Sequence, residues 1–233
     1  MTGRSEELAD RLDAVRRRIE TACAAADRDP GEVTLVAVTK FFPASDVRVL
    51  ADLGVTHVGE NRHQEAEAKA AECADLGLTW HFIGGLQSNK AAAVAAYAGV
   101  VESLDRAKLV AGLERGAQER SEPLDVLLQV SLDTGEGAGR SGADPADLER
   151  LARAVDDADH LRLCGLMAVA PLGEDPAPAF ARLAALRQEF LSSHPGAEVL
   201  SAGMSNDLEQ ALAVGATHVR VGSAVLGSRP VNK

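Results

Sequence analysis

Aromatic residues are scarce in this chain: one tryptophan, one tyrosine and five phenylalanines among 233 residues. Any core must therefore be aliphatic, built chiefly from alanine, valine and leucine. Basic residues are also in deficit, 24 against 35 acidic ones, for a net charge of −11. That balance argues against non-specific nucleic-acid binding and against an anionic membrane surface, both of which need a basic footprint. It leaves room for a small anionic ligand in a local pocket. The three cysteines, Cys23, Cys73 and Cys164, are odd in number and form no C-x-x-C pair. Neither a disulfide framework nor a zinc site is supported, and a reducing cytoplasm is the simplest home. The N-terminus is charged and amphipathic, without the apolar core of a signal peptide, and no apolar run approaches membrane-spanning length. No Pro/Ser-rich linker or charge block divides the chain, so residues 1–233 read as one domain.

What is present is a rhythm. Leu8, Leu12, Val15 and Ile19 fall at spacings of three and four, one face of a helix over 5–27. Then apolar, β-branched runs alternate with helical ones. The runs 33–39, 55–59, 78–83, 100–104, 124–132, 161–169, 198–201 and 217–221 read as strands. Helices are expected over 43–53, 61–76, 88–97, 106–119, from 144, over 176–192 and over 207–214, with a helical turn after the last strand. Asp105 is the expected cap of the fourth of these, and Ser205 or Asn206 of the last. Eight β-then-α units in about 230 residues predict a closed (β/α)₈ barrel preceded by an extra helix. A local echo, LGVTHVGEN at 53–61 against VGATHVRVG at 214–222, is too short to establish a repeat.

In such a barrel the C-terminal ends of the strands share one face, where chemistry is placed. Lys40 ends the first strand, beside Phe41 and Phe42; an amine held among apolar neighbours has its pKa lowered and becomes nucleophilic. The seventh strand opens into Ser201-Ala-Gly-Met-Ser205-Asn-Asp207, and the eighth into Arg220-Val-Gly222-Ser223. Glycine and hydroxyls before helices suit a phosphate, and the loops after strands seven and eight are where barrels often hold one. An amine, a phosphate cradle and an arginine together suggest a phosphorylated aldehyde. Pyridoxal phosphate fits, with Lys40 supplying the Schiff base and Arg220 facing the pyridine nitrogen. The set contains no metal-ligand spacing. The histidines His57, His81 and His218 read as satisfied barrel residues, with His81 able to reach the pocket. A G-x-G-x-x-G match at 137–142 follows the fifth strand, not the first, and reads as a loop at the barrel mouth rather than a dinucleotide site.

These residues resemble the pyridoxal-phosphate homeostasis protein family, whose fold is similar to the N-terminal barrel of alanine racemase. The resemblance runs from about residue 33 to 229. It rests on VAVTK ending at Lys40, GEN (59–61), HFIGGLQSNK (81–90), GLMAVAP (165–171), GMSND (203–207) and VRVGSAVLG (219–227). It implies that Lys40 carries the cofactor as a Schiff base and that Arg220 meets the ring nitrogen. It also implies that Ser201, Ser205, Gly222 and Ser223 surround the phosphate, while Asn61 and Met167 line the ring. Val58 and Arg62 stand where the family often has aromatic residues, Leu226 where phenylalanine is frequent, and Ser223 where threonine is common.

Racemisation needs two bases on opposite faces of the cofactor. In alanine racemase the second is a tyrosine from an additional domain, and this chain's single tyrosine, Tyr97, ends a predicted helix. The sequence thus favours a cofactor carrier without a catalytic residue set, serving intracellular pyridoxal phosphate homeostasis. Pyridoxal-phosphate-dependent apoenzymes are its expected partners and a monomer its expected state. A racemase-like enzyme on amino acids and a class I aldolase-type barrel are the alternatives.

Overall fold

The structure is a computed structural model, and it describes residues 3–133 and 142–228. Eight of the apolar runs form parallel strands: β1 (Thr34–Val38), β2 (His57–Glu60), β3 (Thr79–Phe82), β4 (Val100–Leu104), β5 (Leu124–Gln129), β6 (Leu161–Met167), β7 (Val199–Ser201) and β8 (His218–Val221). They pair in sequence order, and β8 returns to β1, so the sheet closes into the expected barrel. Each strand is followed by a helix: α2 (Ala44–Asp52), α3 (His63–Glu72), α4 (Ala91–Tyr97), α5 (Val110–Ala117), α6 (Leu148–Asp156), α7 (Pro176–Ser193), α8 (Leu208–Ala213) and α9 (Ser223–Leu226). The extra helix, α1 (Gly3–Ala25), packs against α2, α8 and α9. It buries Leu8, Leu12, Val15 and Ile19, the face its periodicity predicts.

Several helices begin with a tight 3₁₀ turn, so their regular part is shorter than the sequence suggests. Two cap assignments are corrected. Asp105 does not cap the helix that follows; its carboxylate accepts from the Arg106 guanidinium at 2.5 Å. Near α8 it is Asp207, rather than Ser205 or Asn206, whose side chain accepts from a backbone amide, that of Met204, at 2.5 Å. Three Asp-Pro pairs do work as expected of an N-cap before a first-turn proline: Asp29, Asp144 and Asp175 each accept from the amide two residues on. The G-x-G-x-x-G match lies outside the described residues, apart from Gly142.

Alternation along the strands sends one set of side chains toward the helices and the other into the barrel. Ala37, Val58, Trp80, Phe82, Val101, Leu166 and Val219 join the helices' leucines in the aliphatic core. The inward set is different in kind, since it includes His57, His81, Glu102, Ser201, His218 and Arg220 in mutual contact. The local echo has a spatial counterpart: its two copies supply β2 and β8, the strands on either side of β1, and place His57 and His218 with ring centroids 6.4 Å apart.

Candidate functional site

At the C-terminal end of the barrel lies a cleft of about 420 Å³, within the range of small-ligand sites. Lys40, Ser205, Arg220, Gly222 and Ser223 all line it, together with Phe41, Phe42, Ile83 and the 170–173 loop. Five of the eight residues assigned from the sequence therefore meet in one place, although they span 184 positions from 40 to 223. The other three do not line it. Met167 is buried at the end of β6, and Ser201 at the end of β7. Asn61 lies in the turn after β2, where its backbone packs on the next loop: a Cβ at Gly84 would stand 2.1 Å from the Asn61 carbonyl oxygen.

Each lining residue has a local cause. β1 carries Lys40 to the rim, and Pro43 stops the chain from continuing as strand. The turn after β7 depends on Gly203, which has φ +92° and where an added Cβ would stand 2.7 Å from the Ala211 methyl, so a side chain is excluded. This turn and the start of α9 form one wall, because Ser205 Oγ accepts from the Ala224 amide at 3.3 Å. Ser205 and Ser223, the latter in the first turn of α9, thus line the same space. Leu172, 74% exposed, stands at the mouth.

Arg220 is held from behind. Its Nη1 donates to Ser201 Oγ at 2.5 Å and its Nη2 to the Ala168 carbonyl at 2.8 Å. The Ser201 hydroxyl donates a hydrogen bond to Glu102 Oε2 at 2.6 Å, and Glu102 Oε2 lies 3.7 Å from Arg220. The other carboxylate oxygen accepts from His81 Nδ1 at 2.6 Å, and His81 Nε2 meets His57 Nδ1 at 2.9 Å. Burial pushes the Glu102 carboxyl up, but the His81 and Ser201 donors and the Arg220 charge outweigh it and hold it down at about 2. Burial lowers both His57 and His218, the latter to about 4, so both favour the neutral form. Burial lowers Arg220 as well, yet guanidinium keeps its proton in proteins. A fixed cation thus faces the cleft, balanced by a fixed anion one layer below.

Sequence reasoning placed Ser201 beside a phosphate, whereas its hydroxyl joins Glu102 to Arg220. It missed Glu102 altogether, although a lone acid in the apolar run VVESL is a signal for a buried, partnered carboxylate. His81 does reach toward the site, but through Glu102. Of the two departures from aromatic residues, Val58 faces the helix layer and is fully buried there. Arg62 sets its guanidinium 5.0 Å from the centre of the Phe41 ring, so it contacts an aromatic that lines the cleft. Tyr97, half-buried on α4 and stacked on His63 with ring centroids 5.9 Å apart, is not among the cleft residues.

Among the described residues no cluster of three metal-ligating side chains occurs, and no helix is long and apolar enough to cross a membrane. The sequence profile of the alanine racemase N-terminal domain family matches residues 11–230. A pyridoxal phosphate homeostasis protein of Mycobacterium bovis is 44% identical over 245 residues, spanning 97% of this chain and 94% of the relative. Another from Pseudomonas aeruginosa is 45% identical over 222 residues, spanning 95% and 96%. Among solved structures, PipY of Synechococcus elongatus with pyridoxal phosphate bound superposes with a TM-score of 0.81 at 37% identity, over 94% of this chain and 100% of PipY. Barrel, cleft and sequence agree: the chain belongs to the pyridoxal phosphate homeostasis protein family, built on the alanine racemase N-terminal barrel.

Proposed function

We propose that this protein binds pyridoxal phosphate in the barrel-mouth cleft and carries it for intracellular cofactor homeostasis. The observation that carries the reading is the convergence of one lysine, one buried arginine and two serine-bearing loops on a single cleft. The donor set suits the ligand: an amine for its aldehyde, hydroxyls and a helix first turn for its phosphate, and a fixed cation for its ring nitrogen. When bound, the cofactor supplies a carbonyl carbon that an amine attacks reversibly with loss of water, leaving a C=N link. Lys40 is the amine. Ser205, Gly222 and Ser223 anchor the phosphate, and Arg220 offers the ring nitrogen a donor that cannot lose its proton. Ser201 acts through Arg220, and Asn61 and Met167 support the cleft from outside its lining.

Turnover on an amino acid needs a second proton-transfer group across the ring from Lys40. Tyr97 stands away from the cleft, which favours a carrier over a racemase. The carrier acts in the cytoplasm as a one-domain monomer and hands its cargo to pyridoxal-phosphate-dependent apoenzymes. The first test is the visible absorption spectrum with added pyridoxal phosphate, wild type beside Lys40→Ala. A yellow band in wild type, bleached by borohydride with the label on Lys40 and absent from the variant, is the expected result. No band at saturating cofactor would remove the reading.

A further inference from the structure

A second ionic cluster lies behind the cleft, in the layer between β2 and α3. Lys69 on α3 is 8% exposed and Glu60 at the end of β2 is 1% exposed. Lys69 Nζ lies 2.6 Å from Glu60 Oε1 and 2.9 Å from Glu65 Oε1, and it also donates to the Thr39 carbonyl at 2.7 Å. Thr39 Oγ1 donates to the same Glu60 oxygen at 2.7 Å. Glu65 Oε1 in turn accepts the Phe41 amide at 2.5 Å. The cluster therefore grips the backbone immediately before and immediately after Lys40.

The gripped backbone is strained. Phe41 has φ +72°, a conformation that bulky L residues rarely adopt. The Phe42 amide closes the turn onto the Thr39 carbonyl at 3.1 Å, the oxygen that Lys69 also holds. An ionic group in this position is costly: burial raises the Glu60 carboxyl despite Lys69, and Glu60 Oε2 has no hydrogen-bond partner among the described residues. Buried ion pairs of this kind are often no more stabilising than apolar substitutes. Strain held by costly surroundings next to a reactive group is a mark of preorganisation.

We propose that Glu60, Glu65 and Lys69 are positioning residues for Lys40, a clamp that fixes the Thr39–Phe41 turn so that the amine meets the cofactor aldehyde in reactive geometry. The inference rests on the reading of Lys40 given above. None of the three lines the cleft. The clamp acts on the rate of link formation rather than on phosphate anchoring, which belongs to the loops after β7 and β8.

The test uses full-length protein as wild type, Glu65→Ala, Glu65→Gln, Lys69→Met and the paired Glu60→Gln/Lys69→Met. The paired variant removes both charges together and keeps a folded protein available if Lys69→Met alone strands a buried carboxylate. Without cofactor, hydrogen exchange at the Phe41 amide is expected to speed up at least about tenfold in Glu65→Ala and to stay near wild type in Glu65→Gln, whose carbonyl still accepts. With pyridoxal phosphate, the saturating rate of the borohydride-trapped link at Lys40 falls about ten- to a hundredfold in Glu65→Ala and the paired variant, a misplacement effect. The half-saturating concentration stays within about twofold, and Glu65→Gln restores the rate. Unchanged rates, or a rate and half-saturation that worsen together, overturn the clamp and leave the carrier reading intact. A wild type that forms no link overturns both.

Discussion

Replacing Glu102 by glutamine tests whether the barrel interior is organised around a charge. Glutamine has the shape of the protonated acid, so the substitution asks what ionisation at this site is worth. The carboxyl is held at about 2 against an ordinary 4.5. At about 1.4 kcal/mol per pH unit, that gap corresponds to about 3 kcal/mol favouring the charged native state at pH 7. The figure agrees with the ~3–5 kcal/mol lost when one partner of a buried ion pair is removed, here leaving Arg220 without its anion. The sign fixes the pH dependence. A lowered carboxyl contributes fully above 4.5 and loses its contribution as pH falls toward 2, so the gap between wild type and Glu102→Gln narrows to about 2 kcal/mol at pH 3.5. Urea denaturation of both proteins at pH 7 and pH 3.5 reads this directly. A loss below about 1 kcal/mol at pH 7, or a gap that does not narrow in acid, would refute the assignment of Glu102 as the balancing charge.

His218 gives the complementary case. Burial lowers it from 6.5 to about 4, so its contribution is complete above pH 6.5 and lost as pH falls toward 4. About 2 kcal/mol of it is gone by pH 5, and His218→Gln should flatten the stability profile between pH 7 and pH 5 in urea titrations. The Gly84→Ala variant would push a methyl into the Asn61 carbonyl. The expected cost is about 1–3 kcal/mol, seen as a lower thermal midpoint; an unchanged midpoint would show that the two loops part freely.

Much of this protein could be read from residue order. Strand runs and helical faces were legible because each records locally which side of an element is buried, and eight such units in strict alternation leave few closures other than a barrel. Lys40 and the two serine-bearing loops were legible for the same reason: a site at strand ends inherits its address from the alternation. Helix starts were less so, since a 3₁₀ turn and an α-turn look alike in apolar spacing.

The partnerships across the barrel were a different matter. Glu102 and Arg220 lie 118 positions apart, and only barrel closure brings β4 and β8 side chains to one axial layer through Ser201. Lys69 reads in sequence as one charge on an Ala/Glu/Lys helix, and only the packing of α3 onto β2 reveals it as the buried grip on the Lys40 turn. Sequence determined the elements, the order in which they wind and the strand end at which Lys40 stands. Tertiary structure decided which charges are buried and what they hold, because the desolvation that makes a charge specific depends on neighbours the chain supplies from far away.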